Sequence, residues 1–204
     1  MTLQRNAKFE YFQKKMKNIA IFASGSGTNA ENLIRFFRTS KTGQVRVVLS
    51  NRTDAGVIER AQSFDIEWLV FTRDQFYHSQ DVLQHLIERR IDFIVLAGFL
   101  WLVPEYLLKH YKNKIVNIHP ALLPRYGGKG MYGRHVHQAV IDSGDSESGI
   151  TIHHVNREYD AGDIIFQARC PVDPGETPES LAKKVHELEY RYFPVVVDGL
   201  LKEL

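Results

Sequence analysis

The sequence predicts a single α/β domain, with helices on both faces of a mostly parallel sheet. Three observations carry that expectation. Short, almost unbroken apolar runs recur along the chain, as they do in strands buried on both faces. Between them lie stretches with apolar residues at helical spacing, giving β-α-β-α order. The 204 residues are 44% hydrophobic and 25% charged, enough to bury a core without disulfide or metal. Cys170 is the only cysteine, which excludes an internal disulfide and a zinc site built on paired cysteines. A reducing, cytoplasmic setting is the simplest reading. The longest apolar run, Phe93 to Val103, is interrupted by Gly98 and stopped by Pro104, too short to span a membrane.

Taken in order, Ile19-Ala20-Ile21-Phe22 reads as a buried strand ended by the turn Ser24-Gly25-Ser26-Gly27. A helix from Thr28 to about Thr39 follows, with Leu33, Ile34 and Phe37 on one face. Val45 to Leu49 is a second strand, Val57 to Phe64 a helix, and Trp68 to Phe71 a third strand. A helix over Asp81 to Arg90 places Val82, Leu83, Leu86 and Ile87 together. Phe93 to Leu96 and Ile115 to Ile118 are strands four and five, separated by a helix starting near Pro104.

After Ile118 the rhythm changes. Pro120 to Gly133 holds two prolines and four glycines, too irregular for an element. A helix over Val136 to Asp142 comes next, then two neighbouring strands, Ile150 to Val155 and Ile164 to Arg169, joined by an acidic turn. Thr177-Pro178 is a helix start, a hydroxyl cap followed by proline in the first turn. That last helix runs toward Leu201, with a kink or break expected at Pro194.

The net charge of +2 divides unevenly. Residues 1–17 carry Arg5, Lys8, Lys14, Lys15 and Lys17 against Glu10, while 18–204 are slightly acidic. Nothing in that balance suggests nucleic-acid binding. The division assigns 1–17 to a basic extension, either a short helix packed on the body or disordered, and 18–204 to the folded domain. The extension lacks the apolar stretch of a signal peptide. Met16, directly before the first strand, is an alternative start.

Three places could carry chemistry. In Ser24-Gly25-Ser26-Gly27-Thr28-Asn29-Ala30, glycines let the backbone approach an anion and the helix N-terminus offers unpaired N–H groups. The turn has no Walker lysine. It matches G-x-G-x-x-A, but Ser50-Asn51 stands where a dinucleotide site wants an acid, so a phosphate or phosphosugar fits better than a dinucleotide. A tight turn that binds nothing is the bland alternative. Asn117 and His119, two apart on a strand, share a face at its carboxyl end, where an amide donor and an imidazole suit carbonyl polarisation and proton transfer. A structural histidine bonded to a loop carbonyl is the plain alternative. Glu158, Asp160 and Asp163 read most simply as a solvated hairpin turn, though one carboxylate could reach His119 and orient it. His135-x-His137 and His153-His154 lack matched carboxylates or cysteines, so no metal site is expected.

The ordered set Ala23 to Asn29, Leu96-Ala97-Gly98-Phe99, Asn117-Ile118-His119-Pro120-Ala121-Leu122-Leu123-Pro124 and Asp160-Ala161-Gly162 resembles the folate-dependent glycinamide ribonucleotide formyltransferases, from Asn18 to the C-terminus. The resemblance implies a Rossmann-like formyltransferase fold. It implies transfer of the formyl group of 10-formyltetrahydrofolate, a cosubstrate rather than a bound cofactor, to the glycine amine of glycinamide ribonucleotide in purine synthesis. Asn117, His119 and Asp160 take the catalytic positions. Gly27, Thr28 and Asn29 would hold the ribonucleotide phosphate, with His186 and Glu189 helping to hold the ribonucleotide. Leu100, Trp101, Leu102 and Val103, with Asn156, Arg157, Glu158, Tyr159 and Asp160, match the walls of the folate slot, which Asn117 also meets. The partners implied are these two small molecules, without nucleic acid or membrane, and a homodimer is compatible with them.

The chain departs from the family pattern in a longer loop at Gly127 to Gly133, in Trp101 where a basic residue is common, and in Ser79 where relatives use an arginine, with Arg73 nearby. In the expected chemistry, Asn117 and a protonated His119 donate to the developing oxyanion, and His119, directly or through a water held by Asp160, shuttles a proton. Two rival classes are a dinucleotide-binding protein and the related formyltetrahydrofolate hydrolase.

Overall fold

The computed structural model describes residues 16–204. The expectation for 1–17 therefore falls almost wholly on residues outside that range. Five strands run parallel in the order β3-β2-β1-β4-β5: β1 (Lys17–Phe22), β2 (Gly43–Ser50), β3 (Glu67–Val70), β4 (Phe93–Leu96) and β5 (Ile115–His119). β6 (Glu147–His154) and β7 (Ile164–Pro171) extend the sheet antiparallel beyond β5. The order reverses direction between β1 and β4, and such a switch point opens a crevice at the carboxyl ends of the strands. The glycine turn leaves β1 at that point. It is tied to the loop after β4, where Ser24 N donates to Gly98 O at 3.0 Å and Leu100 N donates to Ser24 Oγ at 3.0 Å.

Two apolar layers sandwich the sheet, as uniformly buried strands require. On one side Ile19, Ile21, Val48, Val95 and Val116 pack against α1 (Thr28–Phe37), α2 (Gly56–Ser63), α6 (Arg134–Asp142) and α7 (Pro178–Glu203). On the other, Ala20, Phe22, Val47, Ile94 and Leu96 pack against α3 (Arg73–Tyr77), α4 (Asp81–Glu88) and α5 (Glu105–His110). Phe22, Phe71, Phe76 and Phe99 form an aromatic knot in the second layer, with Phe22 and Phe99 edge-to-face at 5.4 Å. Among the described residues no helix is long and apolar enough to cross a membrane.

Three details depart from the sequence reading. The short helix α3 was not anticipated, although Thr72 and Gln75 close a capping box at its start. Ile87 is 43% exposed, whereas Val82, Leu83 and Leu86 of α4 are buried, because a helix of eight residues buries a narrower stripe than the spacing alone implies. Of the kink or break expected at Pro194, a break does not occur: α7 is one helix of 26 residues. Proline supplies no N–H to the carbonyl four residues back, at Tyr190. Asn32 Nδ2 donates to that carbonyl at 2.9 Å, so the helix continues with its orphaned acceptor paired.

Candidate active site

One cleft of about 820 Å³ runs along the carboxyl ends of β1, β4 and β5. It joins the glycine turn, the end of β5, the glycine-rich loop, the acidic turn and α7.

Gly27 has φ +76°, a left-handed conformation in which a Cβ would meet Val57 at 2.5 Å, so only glycine fits. The turn is braced from α2, with Val57 N donating to Gly25 O at 3.1 Å and Arg60 Nε to Ser26 O at 2.7 Å. Among the described residues no side chain caps α1. Its first N–H groups therefore point at the cleft with no side-chain acceptor, as an anion site requires. Asn29 Nδ2 donates to Glu189 Oε2 at 2.9 Å, while Asn29 Oδ1 is buried with no partner among the described residues. Glu189 is only 4% exposed and also faces His186 Nδ1 at 2.7 Å, a contact that raises the His186 pKa above 6.5. The structure thus brings Gly27, Thr28, Asn29, His186 and Glu189 to one end of the cleft.

At the other end, Asn117, His119 and Asp160 meet. Of the three acids in the turn after β6, Glu158 and Asp163 are exposed and only Asp160 turns inward. The turn fits closely against β6, where a Cβ on Gly162 would collide with the His154 carbonyl. Asp160 itself holds φ +54°, a left-handed conformation that aspartate tolerates better than most side chains. Its Oδ2 accepts from Gly128 N at 2.9 Å and stands 3.5 Å from His119 Nδ1; its Oδ1 accepts from Asn117 Nδ2 at 3.3 Å. Burial works to raise this carboxyl, but the neighbouring His153 and His119 rings and the Gly128 N–H outweigh it, and the pKa lies below 3.8.

His119 is 3% exposed, and its Nε2 lies 2.7 Å from Tyr126 O. A carbonyl only accepts, so Nε2 carries a proton, and Nδ1 is the nitrogen that faces Asp160. Burial is the largest influence and pushes the ring below 6.5; Asp160 and the Tyr126 carbonyl oppose it without reversing it. Burial thus works against the imidazolium expected from the sequence, while Asp160 and the Tyr126 carbonyl work for it. The loop-carbonyl bond and the contact with Asp160 are both present.

His153, considered from the sequence only as a metal ligand, belongs to this cluster. It pairs in register with Asn117 across β5 and β6, with Nε2 3.1 Å from Asn117 Nδ2 and 3.6 Å from Asp160 Oδ1. Its Nδ1 faces His154 O at 2.8 Å, which places the proton there and leaves Nε2 to accept from Asn117. Strand alternation already separated His153 from His154; what the sequence lacked was the register. Among the described residues no group of three or more His, Cys, Asp or Glu side chains is placed to hold a metal ion.

The two wall segments divide. Leu100, Tyr159 and Asp160 line the cleft. Trp101 instead packs into the aromatic layer against Phe71, Phe76 and Tyr77, with the Arg73 guanidinium over its ring at 5.6 Å. Val103 is buried and Leu102 O accepts from Tyr77 OH at 2.9 Å. Asn156 pins the acidic turn through Ala161 O and Glu158 N, and Arg157 pairs with Glu105 at 2.6 Å. Ser79 Oγ caps the end of α3 by donating to Gln75 O, so it stands as a structural residue.

A formyl-group transferase is the class of protein that this fold and cleft define, and the chain belongs to the formyl transferase family, whose model matches residues 17–197. It is 39% identical to the chloroplastic phosphoribosylglycinamide formyltransferase of Arabidopsis thaliana over 94% of this chain and 68% of that protein. It is 37% identical to the Vigna unguiculata protein of the same name, of which it spans 62%. With the phosphoribosylglycinamide formyltransferase of Escherichia coli it shares 33% identity over 91% of this chain and 89% of that one. The crystal structure of glycinamide ribonucleotide transformylase 1 from Symbiobacterium toebii superposes with a TM-score of 0.85 at 32% identity, covering 95% and 91% of the two chains.

Proposed function

We propose that this protein transfers the formyl group of 10-formyltetrahydrofolate to the amine of glycinamide ribonucleotide, giving formylglycinamide ribonucleotide and tetrahydrofolate in purine synthesis, in the cytoplasm. The observation that carries the reading is one cleft with an uncapped helix N-terminus at one end and the Asn117–His119–Asp160 cluster at the other. That spacing suits an acceptor with a phosphate at one end and a nucleophile at the other.

In the proposed mechanism the phosphate lies on Gly27, Thr28 and Asn29, and the buried Glu189 with His186 takes sugar hydroxyls. A carboxylate beside the phosphate itself would repel it, which favours the helix N-terminus for the anion. Leu100 and Tyr159 wall the folate, and Trp101, Leu102, Val103, Asn156, Arg157 and Glu158 hold those walls from behind. Attack on the formyl carbon places negative charge on its oxygen. Both Asn117 Nδ2 protons are engaged at rest, by His153 and by Asp160. The substrate oxygen replaces the longer bond, the one to Asp160. One such donor is worth a factor of about 10² to 10³ in rate. The neutral His119 accepts the proton leaving the attacking nitrogen, and Asp160 stabilises the imidazolium as it forms. That proton then goes to the departing folate nitrogen.

The test is folate absorbance on purified protein with and without glycinamide ribonucleotide. Turnover is expected only with the acceptor. Equal rates in both conditions would instead support the hydrolase.

A further inference from the structure

His137 lies on α6, lines the cleft and is 3% exposed, yet among the described residues neither of its ring nitrogens has a hydrogen-bond partner. Nδ1 is sealed from solvent, leaving Nε2 to meet the cleft. Buried polar groups are almost always paired, so an imidazole left open inside a binding cleft is a place where a ligand supplies the partner. The charged groups it senses are His119 at the catalytic end and His186 with Glu189 at the ribonucleotide end. It therefore shares one cleft with both ends of the site. Burial is the main influence on its titration and keeps the ring neutral at pH 7.

We propose that His137 receives the attacking amine of the acceptor, taking an N–H hydrogen bond on Nε2 and so aiming the nitrogen lone pair at the formyl carbon. The proposal rests on the function proposed above. Between the phosphate and the formyl carbon, the acceptor offers hydroxyls, an amide and a terminal amine, and the terminal amine must arrive unprotonated to react. A carboxylate in this place would hold it as an ammonium ion, which has no lone pair to attack with. A neutral imidazole orients the free amine without favouring its protonated form. No bond is made or broken at His137, and the proton lost later goes to His119.

The experiment has a kinetic arm and a spectroscopic arm. Wild-type turnover with glycinamide ribonucleotide tests the proposed function by itself. His137→Ala is then expected to lower kcat/KM for the acceptor by about 10²-fold, the cost of misplacing a nucleophile. The folate KM stays within about twofold, and His137→Gln, which keeps an acceptor oxygen, recovers most of the loss. In 15N-histidine protein, the His137 Nε2 resonance is expected to move on adding glycinamide ribonucleotide but not ribose 5-phosphate, which has no amine. An active wild type with a folded His137→Ala variant within about threefold of it would overturn the proposal. Equal ring shifts with both ligands, or with neither, would overturn it even if the alanine variant did not fold. An inactive wild type would count first against the proposed function and, because it underlies this inference, against His137 as well.

Discussion

The carboxylate of Asp160 illustrates how a residue that reads as turn chemistry becomes part of a site. It is the one acid of its turn to face inward, in a left-handed backbone conformation, within reach of Asn117, His119, His153 and Gly128. Asp160→Asn keeps the shape and removes the charge. The rate is expected to fall by roughly 10² to 10⁴, because His119 would then gain its proton without a stabilising partner. Substrate affinities should change much less, and the double change with His119→Ala should be barely worse than the worse single change. Near-normal kcat in folded Asp160→Asn would return the residue to the turn. At the other end of the cleft, Asn29→Ala should raise the acceptor KM and spare the folate KM, since Asn29 bonds Glu189 and lies in the turn read as the phosphate site. A folate KM that rises instead would move that site. The pairing of Asn117 with His119 was legible from a two-residue spacing on a strand. The pairing of Asn117 with His153 was not, because antiparallel register comes from the whole sheet and leaves no local mark.

Among elements, α7 shows a helix that runs on through a proline without breaking. Proline does remove a donor, but the cost depends on whether the freed carbonyl finds another. Here Asn32 on α1 donates to Tyr190 O, so the break is repaired by a helix 158 residues away in the chain. Asn32→Leu should therefore destabilise the fold by about 1 kcal/mol, the net value of an ordinary hydrogen bond. In the Pro194→Ala background, where residue 194 regains its N–H, the same change should cost less, and urea midpoints of the four proteins would measure the difference. Equal costs in both backgrounds would mean that the Asn32 bond does not compensate for the proline. The strands were readable because doubly buried β1, β4 and β5 are almost continuously apolar. The five-residue α3 was not, since its capping box marks only a start and too few residues follow to establish a period.

For the whole molecule, burial of the cleft histidines sets the response to acid. His119 and His137 both have pKa values below 6.5 in the fold, each mainly because burial disfavours the charged ring. As pH falls through about 6.5 the unfolded chain binds protons that the folded chain refuses, so stability must decline. The slope approaches about 1.4 kcal/mol per pH unit for each such ring until its folded pKa is reached. His186 runs the other way: its pKa is raised by Glu189, so its contribution is complete below 6.5 and fades only as pH rises through the folded value. Asp160, lowered below 3.8, contributes fully throughout this window and loses its effect only in stronger acid. The net expectation is a urea midpoint that drops between pH 7 and pH 5.5, with ionic strength held constant. His137→Gln removes one of the two refusing rings and should flatten that drop, whatever it does to the midpoint at pH 7. A wild-type midpoint that instead rises as pH falls, as His186 alone would make it, would mean that both rings titrate in the folded protein as they do in water. The neutral His119 of the proposed mechanism would then be wrong.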